Sequence, residues 1–248
     1  MCIRDRLQPV GFGTERLEER FVELFPSVPF AVLDRDAAAR RGGAAAVLDE
    51  FESGRARALL GTQMVAKGHD FPGATALAVL DADALLSFPD FRASERTFQL
   101  VTQAAGRVGR GELPGVVAVQ TARPDHEAIQ CAVRQDHAAF ADSELAFRRA
   151  FRYPPFAHLL LALWTDDDLP KAEAAARDGH ALLAASLGAG SSVRLLGPAP
   201  APMERLKGHW RIHLLVKATR REEIAAAARL LAGLKRPPRI DVDPQNML

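Results

Sequence analysis

The chain of 248 residues is 48% hydrophobic and 25% charged, with a formal net charge of +1. That is ordinary for globular domains with a buried core, and it excludes a polycation, so any contact with nucleic acid needs a local basic patch. Two distant cysteines, Cys2 and Cys131, exclude a disulfide framework and a zinc-ligand set and fit a reducing compartment; no run of about 18 apolar residues is present to span a membrane.

The leading MCIRDR is too short and too charged for a signal peptide and starts no recognisable element. Residues 1–7 are expected to be a leader foreign to the native protein, with the chain beginning inside a domain. Residues 14–25 place Leu17, Phe21, Leu24 and Phe25 at helical spacing, with Thr14 as N-cap and Pro26 as stop. Residues 28–33 read as a buried strand, 38–53 as a helix stopped by Gly54, and 56–62 and 74–81 as further strands. A helix over 92–107, with Phe98, Leu100, Val101 and Ala104 inward, leads to a strand at 115–121 and a long helix at 125–149. Apolar strands alternating with helices predict a parallel α/β sheet buried on both faces. Ligands then sit beyond the carboxyl ends of the strands, in the loops 62–73, 82–92 and 122–124.

At Tyr153–Phe156 two prolines forbid helix continuation, and a domain boundary is expected near 150, separating 8–150 from 151–248. Beyond it the pattern predicts strand 157–164, helix 169–187, strands 193–197 and 210–218, helix 220–234 and strand 239–243. That is βαββαβ, the α+β ferredoxin-like order. Residues 198–209 are expected to form a Pro/Gly-rich basic loop.

Two patterns in the first half carry chemistry. Thr62, Ala66, Lys67, Gly68, Asp70 and Pro72 form T-x-x-x-A-K-G-x-D-x-P. A hydroxyl and free amides at a strand end suit phosphate oxygens, and Gly68 permits close backbone approach. Read alone, the stretch is equally an ordinary turn with a capping aspartate. Gln103, Gly106, Arg107, Gly109 and Arg110 form Q-x-x-G-R-x-G-R. Arg107 and Arg110, three apart, share a helix face and can point at one anion. Each helical glycine costs about 1 kcal/mol relative to alanine, so glycines flanking an arginine suggest that something approaches the backbone. The plain alternative is a solvated helix end with cations at its negative pole.

In this order the two patterns resemble the second RecA-like lobe of superfamily 2 helicases, a lobe related to the P-loop NTPases. The run Asp81–Arg110 resembles, more narrowly, the replication-restart DNA helicases of that superfamily, as do VGFGTERLEE at 10–19, RRAFRYPPF at 148–156 and the terminal RIDVDPQNML. The resemblance implies an ATP-dependent 3′-to-5′ helicase that recognises stalled forks and restarts replication through primosome assembly. It implies that Arg107, Arg110 and Gln103 serve ATP turnover, that Gly68 and Asp70 with the two arginines contact nucleotide, and that Thr62, Gln63 and Lys67 face DNA. It also implies a DNA-binding or interaction role for the C-terminal domain, which fits Arg205, Lys207 and Arg211. Expected partners are forked or single-stranded DNA, primosome proteins and single-stranded DNA-binding protein, in a bacterial, nucleoid-associated cytoplasm. One departure is Val108, where the family has a smaller residue.

The chain contains no G-x-x-x-x-G-K-[ST] loop and no Asp-Glu pair placed for magnesium. In this family both lie in the first lobe, so ATP and Mg²⁺ are expected to be held mainly there. The family's cysteine-rich zinc insert precedes the VGFGTERLEE stretch, and its ligands are not in this sequence. An alternative reading is a catalytically inactive helicase-like module that docks on DNA or primosome partners. A small-molecule α/β enzyme would need an acid–base pair in the 82–92 loop, where Asp81, Asp83 and Asp90 have no partner histidine or nucleophile close in sequence. No metal spacing joins His69, His126, His137, His158 and His209; Asp166, Asp167 and Asp168 read as a solvated helix start. Trp164 and Trp210 read as sheet packing, with base stacking open to Trp210 beside Lys207 and Arg211.

Overall fold

The computed structural model of the protein describes residues 13–34, 42–62, 71, 73–108 and 114–247. They fall into two compact units. One holds the residues up to Phe88 together with Ala93–Phe140, the other Pro89–Arg92 together with the residues from Ala141 onward.

The first unit opens with α1 (Thr14–Leu24), β1 (Phe30–Leu33), α2 (Gly43–Glu52) and β2 (Ala58–Gly61). The cap of α1 is Gly13, whose extended backbone leaves Thr14 already helical, so the cap stands one place earlier than the sequence suggests. Gly54 ends α2 as predicted, at φ +76° with its amide donating to Phe51 O. β1 and β2 pair in parallel from Phe30↔Ala58 to Leu33↔Gly61. Then follow β3 (Ala76–Val79), α3 (Ala82–Leu86), α4 (Ala93–Ala105), β4 (Val116–Val119), α5 (Glu127–Arg134) and α6 (His137–Phe151). β3 and β4 also pair in parallel, Ala76↔Val116 to Val79↔Val119.

Three expectations are corrected here. Among the described residues the strands form two parallel pairs rather than one ladder. The β3–β4 pair is covered on one face only: Leu77, Val79, Val117 and Val119 turn inward while Ala76, Ala78, Val116 and Ala118 are exposed. The long helix expected over 125–149 is two helices. Gln135 takes a left-handed conformation (φ +53°), and the Asp136 carboxylate accepts from the Ala139 amide to start α6. No glycine or proline announces that break.

The second unit holds the end of α6, then β5 (His158–Asp166), α7 (Leu169–Ser186), β6 (Arg194–Leu206), β7 (His209–Ala218), α8 (Arg221–Ala232) and β8 (Arg239–Val242). Its sheet order is β6-β7-β5-β8, antiparallel throughout, which is the ferredoxin-like arrangement. The core lies between this sheet and α7 and α8, around Leu160, Trp164, Leu183, Leu214, Val216, Ile224 and Leu231.

The expected loop at 198–209 is instead strand. β6 runs to Leu206, and only Lys207 and Gly208, at φ +51° and +92°, make the turn. Both central residues at positive φ give the turn whose twist matches a hairpin. The prolines are tolerated because β6 is an edge strand, with its register broken between Leu196 and Ala199 and between Pro200 and Arg205.

Gly179 in α7 lies against the Trp164 indole, which itself donates to Arg236 O at 3.1 Å. A Cβ on Gly179 would sit 2.5 Å from that ring. Alanine ordinarily gains about 1 kcal/mol over glycine inside a helix, but forced overpacking costs about 1–3 kcal/mol. A buried, hydrogen-bonded indole has little room to yield, so the overpacking wins. Gly179→Ala is expected to lower unfolding free energy by up to about 2 kcal/mol in a urea titration; a raised midpoint would show that the indole moves freely.

Candidate functional site

Thr62 directly follows β2 and is exposed at its carboxyl end. Gln63, Ala66, Lys67, Gly68, Asp70 and Pro72 lie outside the described residues, as do Gly109 and Arg110. Phe71, within the same motif, is 6% exposed and joins the Leu33–Leu48 cluster, its ring edge-on to Phe51 at 5.3 Å. Its carbonyl accepts from the Ala74 amide. The motif is therefore anchored to the core by one aromatic, a role the sequence reading passed over.

The carboxyl ends of β3 and β4 are clipped together. Asp83, at the start of α3, accepts from the Ala122 amide at 2.6 Å, from Thr121 Oγ1 at 3.1 Å and from Arg123 Nε at 3.1 Å. Arg123 also donates to Ser87 Oγ, and the Ala82 amide donates to Gln120 O. The Ala122 amide, then the Arg123 and Thr121 donors, hold the Asp83 carboxyl below the usual carboxylate range, outweighing partial desolvation. A carboxylate filled by three donors is a fastener and not an acid–base catalyst. Asp83, so occupied, is removed as a member of the acid–base pair that a small-molecule enzyme would need. Nearby, His126 caps α5 by accepting from the Ala128 amide at Nδ1, and burial lowers its pKa, which suits that acceptor role.

α4 packs Thr97, Phe98, Val101 and Ala104 inward; Phe98 stacks on Phe140 at 4.1 Å. Gln103 is exposed, and Arg107, half-buried, follows one turn later beyond the helix end. The closing turn is tight: the Gly106 amide donates to Thr102 O and the Arg107 amide to Ala104 O. Among the described residues a Cβ at Gly106 would meet nothing closer than 3.6 Å, and its φ is not positive, so their packing does not demand glycine there. Gln103 and Arg107, spaced i, i+4, fit a phosphate or ribose as donors on one side of the helix end.

In the second unit, Arg205 and Lys207 are exposed at the β6–β7 hairpin end. The Arg205 guanidinium lies 5.2 Å from the Trp210 ring centroid, and its Nε donates to Gly208 O at 3.1 Å. Arg211 differs from both. It is 7% exposed, and Nη1 donates to Met203 O, so it braces the hairpin from within and is not one of the exposed cations. Alternation along β7 sets it on the sheet face opposite Ile212, Leu214 and Val216, where it is covered with its guanidinium on the Met203 carbonyl. Among the described residues no three His, Cys, Asp or Glu side chains gather to hold a metal ion, so zinc or magnesium finds no fitting ligand set in them.

Residues 14–112 match the helicase conserved C-terminal domain, and residues 149–245 the primosomal protein N C-terminal domain. The first unit thus contains a RecA-like helicase lobe, and the chain is of the class that joins a helicase C-terminal domain to a primosomal one. The replication restart protein PriA of Bacillus subtilis (strain 168) is 39% identical over 225 residues, covering 91% of this chain and 28% of that protein. PriA of Treponema pallidum (strain Nichols) is 39% identical over 243 residues (96% and 36%), and PriA of Haemophilus influenzae (strain ATCC 51907 / DSM 11121 / KW20 / Rd) 35% over 254 (99% and 34%). The chain belongs to the PriA family of replication restart proteins, and it spans about a third of the length of these relatives.

Because the Asp83 pKa is depressed on folding, its contribution to stability is complete above the ordinary value of 3.8 and is lost as pH falls through the lower folded value. Asp83→Asn is expected to be less stable than the parent at neutral pH and to show a shallower fall in Tm on acidification below that range. Parallel Tm–pH curves for the two proteins would remove the clip from the account.

Proposed function

We propose that the chain is the C-terminal part of an ATP-dependent 3′-to-5′ DNA helicase that recognises stalled replication forks and restarts replication through primosome assembly. The observation carrying this reading is the Q-x-x-G-R end of α4, which holds Gln103 and Arg107 one turn apart on a helicase domain joined to a primosomal one. In this reading Arg107 and Arg110 reach a triphosphate and stabilise charge on its γ-phosphoryl group, while Gln103 orients nucleotide or water. ATP and Mg²⁺ are held mainly by a first lobe elsewhere in the intact protein, and zinc by a separate cysteine-rich insert. Gly68 and Asp70 link the nucleotide to DNA, and Thr62, Gln63 and Lys67 face its phosphates. Primosome proteins and single-stranded DNA-binding protein are the protein partners, in the bacterial cytoplasm on the nucleoid.

The second unit contributes a DNA contact at its hairpin end. Arg205 and Lys207 supply phosphate neutralisation, and Trp210 under the Arg205 guanidinium supplies a base-stacking surface. Arg211 serves by holding that hairpin in shape.

In the intact protein, Arg107→Ala and Arg110→Ala should each leave forked-DNA affinity near its parent value and reduce ATP turnover by about a thousandfold. Near-normal turnover would leave a docking module and sink the helicase assignment. Arg205→Ala with Lys207→Ala should weaken DNA binding alike for all sequences and reduce the slope of log K against log salt by about one per residue removed. An unchanged slope would take the hairpin out of the DNA interface.

A further inference from the structure

Within the second unit, residues 145–158 hold three arginines, four aromatic residues and no aspartate or glutamate. The rings form a ladder. Tyr153 stacks on Phe91 at 4.5 Å and packs against Leu159, Leu215 and Met247. Phe147 lies 6.2 Å from Tyr153 with planes 17° apart, and Phe151 lies 4.8 Å from Phe147. The inner end of the ladder is thus held by the core, while Phe147 and Phe151 are 43% and 59% exposed. A lone exposed apolar residue is ordinary, but adjoining rings with a charged rim mark an interaction site.

Cations gather at that open end. Lys217, itself buried, donates to Phe151 O at 3.1 Å. Arg194 is its register partner on β6 and is exposed; Arg152 Nη1 donates to Ser192 O, two residues before Arg194. Burial, and after it Arg194, push the Lys217 pKa down to about 8, so the positive charges here repel one another. The acids close by are spent elsewhere, Glu144 on Arg148 and Glu223 on Arg220 and Ser192. Open rings beside net positive charge fit a ligand that is both flat and anionic.

We propose that Phe147, Phe151, Arg152 and Arg194 form a binding site for single-stranded DNA, with bases stacked on the two rings and phosphates on the two arginines. A duplex keeps its base faces inside the stack, so only an unpaired strand can offer them. The site is distinct from the hairpin end: Trp210 and Lys217 mark opposite ends of β7, about 23 Å apart. DNA as the ligand rests on the reading given above; the patch itself does not.

The test is binding of a labelled single-stranded oligothymidylate by the intact protein, with a blunt duplex as control. Phe147→Leu and Phe151→Leu, which keep apolar bulk and remove the ring, should each weaken oligothymidylate binding about tenfold and leave duplex binding and the salt slope unchanged. Arg194→Ala should lower the slope of log K against log salt by about 0.7. Phe151→Trp should keep the affinity and add quenching of tryptophan emission on binding. Parent affinity in both leucine variants overturns the site. If their Tm falls while affinity holds, the rings are covered by another part of the intact protein, which overturns it too. Equal losses on single strand and duplex mark plain destabilisation and also overturn it. If Arg205→Ala with Lys207→Ala loses affinity and the leucine variants do not, this site fails and the hairpin stands. A parent that binds no oligothymidylate removes single-stranded DNA as the ligand of both.

Discussion

The buried stripe of α4 is the constraint on which the first unit depends. Phe98, Val101 and Ala104 are each 5% exposed or less. Three residues at i, i+3 and i+6 fix the rotation of a helix about its axis. With Phe98 stacked on Phe140, Gln103 has no choice but to face out, and the closing turn places Arg107 after it. The Asp83 clip works on the same problem from the other side. By joining the ends of β3 and β4, it fixes the pair against which α4 lies. The position of Gln103 and Arg107 thus follows from apolar packing on one side and a charged clip on the other.

Much of this was legible in the sequence. Helices with clear 3.6 periodicity, such as α4 and α7, lie within two residues of their expected limits. The order of elements after Pro155 led directly to the antiparallel sheet. What escaped has physical causes. The α5–α6 break rests on Gln135, a residue with no intrinsic liking for positive φ, held there by the Asp136 cap that follows. The hairpin was hidden because prolines argue against a strand, and only knowledge that β6 is an edge removes the objection. The half-exposed β3–β4 pair reads as buried because alanine and valine give no polar alternation.

The candidate site was legible as motifs but not as burial. Arg205 and Arg211 stand six residues apart and look alike in a basic stretch, yet one is exposed and the other is 7% exposed on a carbonyl. Lys217 shows the same ambiguity. Burial pushes its pKa down to about 8, with Arg194 adding to the effect, while the Phe151 carbonyl and the Tyr153 ring face offset part of the loss of water. A count of basic residues would credit both with a surface role. The sheet order distinguishes the exposed cation from the buried ones, with Arg205 on the edge strand β6 and Arg211 and Lys217 on the inner strand β7, and the sheet order is a tertiary fact.

Charges in both units divide by how fully the chain satisfies them. Asp83 accepts three donors. Glu223 accepts from Arg220, from Ser191 Oγ, and from the amide and hydroxyl of Ser192; Arg220 foremost and then Ser192 hold it at about 2. Groups so occupied have no capacity left for a ligand, and their low pKa values make the fold sensitive to acid and not to neutral pH. Gly106 presents the opposite case: a position where the fold would accept a side chain and the sequence withholds one. Glycine costs about 1 kcal/mol in such a helical turn and returns nothing to the packing seen here. A nucleotide approaching the end of α4, as proposed above, would give that glycine its use.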